Sequence, residues 1–256
     1  MTVLSDRELE RYARQIVLPQ LGGVGQRRLK AARVAVIGAG GIGSAVIPAL
    51  SGAGVGHLTI IDDDRVDLGN LHRQPIFSQA DCGAPKAALA AAFVARLNAD
   101  IEVAAVAHRI ATDNAASLLA GYDLVIDGSD NFATRLAVSD ACVRLAIPLV
   151  SAAAVMFQGQ VGLFRGAPCY RCFVGDAFDS DDCDTCAEAG VVGAIPGMIG
   201  NFAALLAIRA IAQIGQDAHG AIHLFDGLRL SWRRISVPAD PACRACGGAS
   251  DVVLEA

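Results

Sequence analysis

Two hydrophobic periods divide the chain. Runs that are apolar at nearly every position occur at residues 33–37, 57–61, 124–127 and 148–152, with a less apolar one at 102–106. Gly, Asp or Pro bound them, and uninterrupted runs of this kind read as strands buried on both faces. The intervening segments have helical spacing and predict helices from 43 to about 53 and over 85–98, 113–120 and 131–145. Pro48 falls inside the first, so that helix must kink or start late. Alternating strands and helices imply a doubly wound, mostly parallel α/β sheet covered on both faces. Residues 6–30 read as a polar helical arm, and beyond 153 the texture changes. Segments 160–164 and 221–225 look like antiparallel strands that extend the sheet, with cysteine pairs in loops around them. The chain thus divides into an arm (1–30), a parallel region (31–153) and a looser antiparallel region (154–256) continuous with the same domain.

Composition narrows the class. With 54% apolar residues in 256, there is material for one large buried core. A net charge of −5 gives no reason to expect nucleic acid or an anionic membrane surface as partner. The charged first ten residues cannot form a secretory signal, so the expected location is cytoplasmic. The uncharged stretch 189–208 has the length of a membrane span, but Gly190, Gly193, Pro196, Gly197 and Gly200 interrupt its first half. A loop leading into a buried helix fits better.

Gly38-Ala39-Gly40-Gly41-Ile42-Gly43 follows the first strand and opens the first helix, the placement of a Rossmann-like nucleotide turn. Its glycines allow a tight turn, and the helix start offers free N–H groups to phosphate. Asp62, at the end of the next strand, can hold ribose hydroxyls. The turn alone would suit an NAD-dependent oxidoreductase equally well. The chain, however, has no Tyr-x-x-x-Lys pair and no obvious catalytic residue among its five histidines.

Lysine occurs only at positions 30 and 86, so Lys86 at a predicted helix start invites a specific role as a point charge on phosphate. Arg73, in Asn70-Leu71-His72-Arg73-Gln74, and Asp130, in Ser129-Asp130-Asn131, follow strand ends at the same sheet edge as the glycine turn. Asp130 and Asn131 are also good helix caps. These segments, with Arg11-Tyr12-x-Arg14-Gln15, Asp62-x-Asp64 and Pro85-Lys86, resemble the ThiF/MoeB/HesA family, relatives of the ubiquitin-activating enzymes, in order over nearly the whole chain.

The resemblance implies ATP as the nucleotide, bound by Gly38, Gly40, Gly41, Gly43, Asp62, Asp64, Asn70, Gln74 and Asn131. It gives Arg73 and Lys86 to the phosphates and Asp130 to Mg2+, and it has Arg14 reach across a homodimer to the partner's ATP. The implied reaction is adenylation of the C-terminal glycine of a ubiquitin-like sulfur carrier ending in Gly-Gly, with release of pyrophosphate. A non-catalytic scaffold of the same fold should have lost Arg73, Lys86 or Asp130, and all three are present.

Of eight cysteines, six form C-x-x-C pairs at Cys169/Cys172, Cys183/Cys186 and Cys243/Cys246. Any two pairs could complete a four-thiolate Zn2+ site of structural type. The resemblance favours the outer two and places Cys186 on a mobile loop over 176–187 near the active site, where in some members the matching cysteine bonds to the activated carrier; Cys183 has no assigned role. Cys82 and Cys142 read as small buried hydrophobes. The carrier is either ThiS-like, for thiamine, or MoaD-like, for molybdopterin, and the resemblance is slightly closer to ThiF than to MoeB, which favours a ThiS-like carrier. Segments such as Asn131-Phe132-Ala133-Thr134-Arg135 lean toward ThiF, whereas Cys186-Ala187-Glu188-Ala189-Gly190 leans toward MoeB. The chain has no room for an appended rhodanese domain, so sulfur is expected from a separate donor, a cysteine desulfurase or a rhodanese.

Overall fold

The computed structural model describes residues 3–175 and 190–247. Five apolar runs become parallel strands: β1 (Arg33–Ile37), β2 (His57–Ile61), β3 (Glu102–Val106), β4 (Leu124–Asp127) and β5 (Leu149–Val155). Three antiparallel strands follow, β6 (Gln158–Phe164), β7 (Ala221–Asp226) and β8 (Ser231–Ser236). The eight strands make one sheet in the order β3-β2-β1-β4-β5-β6-β7-β8. Crossovers run one way from β1 to β3 and the other way from β4 onward, so the order reverses between β1 and β4. The expected Rossmann-like sheet with an antiparallel extension is what forms, and β5 pairs with β6 along seven residues to join the two parts.

Strand alternation sorts the core into two layers. Val34, Val36, Leu58, Ile60, Leu124 and Ile126 face α3 (Gly22–Ala31), α4 (Gly43–Ala53), α5 (Lys86–Leu97) and the long helix Ala194–Ala212. Ala35, Ile37, Val125 and Leu149 face α6 (Ala115–Leu119), α7 (Phe132–Arg144) and α8 (Tyr170–Val174). The long helix, α9, is apolar and long enough to span a membrane. Here it lies over β5 and β6 and against α4, with Ile199, Ala203 and Leu206 buried, in the manner of a core helix.

Several expectations change. The arm is three helices, α1 (Asp6–Arg11), α2 (Ala13–Ile16) and α3. Its Tyr12 is fully buried, with its ring beneath Gly54 where a Cβ would collide with it, and accepts a hydrogen bond from Asn98 Nδ2 at 2.8 Å. Pro48 is carried within α4 rather than delaying its start. β8 escaped the periodicity because neither of its faces is buried; Trp232 stacks on Phe202 of α9 at 5.0 Å. Cys142 is buried as expected, but Cys82 is exposed, since it ends a short turn after Gln79–Asp81 instead of facing the core.

Asn98 is fully buried and also donates to the Ser51 carbonyl at 2.8 Å, so it joins arm, α4 and α5. Asn98→Ala removes both donated bonds, leaving the buried Tyr12 hydroxyl without its donor and the Ser51 carbonyl with the Gly54 N–H at 3.2 Å, and should lower unfolding free energy by about 2 kcal/mol. Urea denaturation checks this, and an unchanged midpoint and slope contradict it.

Candidate functional site

The reversal between β1 and β4 leaves a cleft of about 500 Å³ at the carboxyl ends of the strands. Ligands of doubly wound sheets bind at such a gap. The glycine turn forms its floor. Gly38 has a left-handed φ of 85°, and a Cβ on Gly43 would run into the Gly38 carbonyl oxygen. A Cβ on Gly128, just past β4, would sit 2.8 Å from the Ile42 side chain, and one on Gly38 would sit 3.2 Å from the Gly128 carbonyl oxygen, so the two turns approach closely because each has a glycine at the contact.

Asp62 Oδ2 accepts from the Ala39 N–H at 2.6 Å and Oδ1 from the Asp64 N–H at 2.8 Å, which fixes the carboxyl beside the turn. Burial pushes its pKa above the usual carboxylate value, against the pull of the Ala39 amide and the Lys86 charge. Lys86 opens α5 and is 4% exposed; its Nζ donates to Asp64 Oδ2 at 2.8 Å. Arg73 is held by Asn70 Oδ1 at 2.6 Å and by the Gly69 carbonyl at 3.3 Å. Gln74 is buried behind it with Oε1 lacking a hydrogen-bond partner. On the far wall, Asp130 is exposed, and Asn131 caps α7 by accepting from the Thr134 N–H at 2.8 Å.

Gly38, Gly40, Gly41, Asp62, Asp64, Asn70, Arg73, Gln74, Lys86, Asp130 and Asn131 thus all border one cleft. Gly43 stands behind the floor. Arg14 does not join them: it is exposed on α2, outside the cleft of its own chain. Cys183, Cys186 and the 176–187 segment lie outside the described residues.

Two features of the cleft went unread in the sequence. The start of α9 forms part of its wall, because a Cβ on Gly41 would lie 3.0 Å from Pro196 and one on Gly193 would strike the His72 carbonyl. The glycines and Pro196 in a stretch of membrane-span length were the available signal. Arg135 is the other. It is 5% exposed and lines the cleft, but a lone arginine inside a predicted helix gives no sign of facing inward.

At the other end of α7, Cys169, Cys172, Cys243 and Cys246 bring their sulfurs within 4.8 Å of one another. Individual separations are 3.4 Å for Cys172 to Cys246, 3.7 Å for Cys169 to Cys243 and 4.0 Å for Cys169 to Cys172. Four thiolates around one ion with bonds of about 2.3 Å lie roughly 3.8 Å apart, so the cluster has the donors and size for a metal. Arg171, between the first two cysteines, makes a two-pronged contact with Asp140 of α7 at 3.0 and 2.9 Å. The cluster therefore ties the loop after β6, and the segment after β8, to α7, the helix that starts just after Asp130 and Asn131.

A family model described as the ThiF family matches residues 12–245. The sulfur carrier protein adenylyltransferase of Thermus thermophilus is 42% identical over 247 residues, covering 94% of this chain and 91% of the relative. The molybdopterin-synthase adenylyltransferase of Salmonella typhimurium is 40% identical over 250 residues, covering 96% and 100%. Among solved structures, E. coli MccB with MccA-N7isoASN superposes with a TM-score of 0.83 at 23% identity, over 95% of this chain and 75% of that one, a likeness of fold. With a family model matched from the arm to the last cysteine pair, and relatives matched along nearly their full lengths, the chain belongs to the ThiF family.

Proposed function

We propose that this chain is an enzyme that uses ATP and Mg2+ to adenylate the C-terminal glycine carboxylate of a ubiquitin-like sulfur carrier, ThiS-like or MoaD-like, in cofactor biosynthesis. The observation that carries this reading is the convergence of Arg73, Lys86 and Asp130 around the glycine turn in one cleft. ATP suits the cleft on three counts. The turn leaves a cradle that side chains would fill, the buried Gln74 Oε1 has no partner, and two cations face it. Asp130 offers the hard oxygen that Mg2+ prefers. Mg2+ there would neutralise charge building on the phosphates.

In the reaction a glycine carboxylate oxygen attacks the α-phosphorus of ATP, a C–O–P linkage forms, and the bond to the β-phosphate breaks with pyrophosphate leaving. The nucleophile is already ionised at neutral pH and needs no general base. The barrier is charge repulsion, and fixed cations lower it most. Asn70 and the Gly69 carbonyl hold the Arg73 guanidinium in place, and Lys86 spends one of three donors on Asp64 and keeps the others for phosphate. Asp62 takes the ribose hydroxyls.

Arg14, exposed on the arm, serves the partner's cleft in a homodimer. Cys186 acts on the activated carrier, and sulfur comes from a separate cysteine desulfurase or rhodanese in the cytoplasm. The four-cysteine cluster holds Zn2+ as a staple, since thiolates in tetrahedral array leave no open position for catalysis. An NAD-dependent oxidoreductase would have no use for the pairing of Arg73 with Lys86, and a non-catalytic scaffold would have no need of either.

Incubation with ATP, Mg2+ and each candidate carrier should add one AMP mass to a single carrier by intact mass spectrometry, and Asp130→Ala should slow this by at least about 100-fold. No shift on any Gly-Gly carrier, or a wild-type rate in the variant, contradicts the assignment. Elemental analysis should find Zn2+ bound, and its chelation should lower the melting temperature by several degrees or more. Alkylation of Cys186 should leave the metal in place. Full thermal stability of the metal-free protein, or metal release on alkylating Cys186, would overturn the staple.

A further inference from the structure

Asp130 makes no side-chain hydrogen bond or ion pair among the described residues, so the direction of its carboxylate depends on the backbone beneath it. That backbone is clamped from both sides. Asp127 Oδ1 accepts from the Ser129 N–H at 2.9 Å and from the Ser129 hydroxyl at 2.7 Å. The Ser129 carbonyl, which belongs to the peptide plane leading into Asp130, accepts from Arg135 Nη2. A peptide unit is planar, so fixing this carbonyl fixes the N–Cα direction of Asp130.

Arg135 is itself anchored elsewhere. Nη2 also donates to the Ala152 carbonyl at 2.8 Å, and Nη1 donates to Ser151 Oγ at 3.3 Å and lies 4.0 Å from Asp127 Oδ2. Ser151 and Ala152 belong to β5, next to β4 in the sheet. The guanidinium therefore refers the turn after β4 to the rigid neighbouring strand, which a planar fork can do and a single ammonium cannot. Neutralising Asp127 alone would not require donors aimed at two carbonyls, one in the turn after β4 and one on β5.

We propose that Arg135 is a positioning residue that orients Asp130 for the divalent cation of the cation–nucleotide complex. This rests on reading the cleft as an ATP site. Supporting groups around a metal ligand are typically worth 10- to 100-fold in metal affinity.

Arg135→Lys keeps a positive charge opposite Asp127 but loses the fork. Calorimetric titration of the full-length protein with ATP, with and without Mg2+, and without carrier, separates the effects. The variant should bind Mg2+·ATP at least about tenfold more weakly and ATP alone as wild type does. In the assay with carrier, the Mg2+ concentration for half-maximal rate should rise by a similar factor with the KM for carrier unchanged. Should Arg135→Lys not fold, Asp127→Asn combined with Arg135→Gln removes both buried charges while keeping the Ser129 acceptor, and should show the same Mg2+-specific defect. Wild-type Mg2+·ATP affinity in either folded variant overturns the inference. So does an equal loss for ATP with and without Mg2+, which is the mark of a general structural role. Failure of the wild-type protein to bind Mg2+·ATP would instead strike the ATP reading itself, and the inference with it.

Discussion

A parallel sheet whose crossovers change direction between β1 and β4 cannot be covered by helices at that point, and the residues of the cleft all hang from the resulting gap. The gap is narrow because Gly38 and Gly128 stand where the two turns meet. Gly43 lets the start of α4 close on the Gly38 carbonyl, and Gly128 lets the end of β4 lie against Ile42. Helix N-terminal amides and strand-end carboxylates are thereby delivered to one volume of about 500 Å³. Charge is then arranged within it by short local contacts: Asp62 on the Ala39 amide, Lys86 on Asp64, and Arg73 on Asn70. Such groups need little reorganisation when a phosphate arrives, which is the condition for electrostatic catalysis.

The antiparallel half supports this arrangement from outside. β6 continues the sheet beyond β5, and α9 crosses from that extension back to the glycine turn, where Pro196 packs on Gly41. The cysteine cluster gathers the loops after β6 and β8, and Arg171 fastens them to Asp140 of α7. Asn131 caps the opposite end of that same helix, next to Asp130. Cluster and cleft thus share one rigid element.

Much of this was legible in the sequence because buried parallel strands read as short apolar runs. β1 and β2 have the expected bounds, as do β3 and β4, and the glycine turn sits where strand gives way to helix. Motif order carried the rest of the cleft: Asp62, Asn70, Arg73, Lys86 and Asp130 were readable by type and by position after strand ends. What escaped depends on tertiary contact. β8 has no buried face to impose a period, and the arm divides around Tyr12, whose burial under Gly54 no local pattern announces. The exposure of Cys82 follows from turn geometry. Arg135 looks like any helical arginine until β5 is laid beside it, and the closing of α9 over the glycine turn becomes visible only when strands distant in sequence are neighbours.

Activation of a carrier's terminal glycine by adenylation in this cleft is tested most directly by isotope exchange between pyrophosphate and ATP. Exchange should require Mg2+ and a carrier with its Gly-Gly end intact, and should vanish when those glycines are deleted. Exchange that persists without the terminal glycines, or none with any intact carrier while ATP still binds, would contradict the claim.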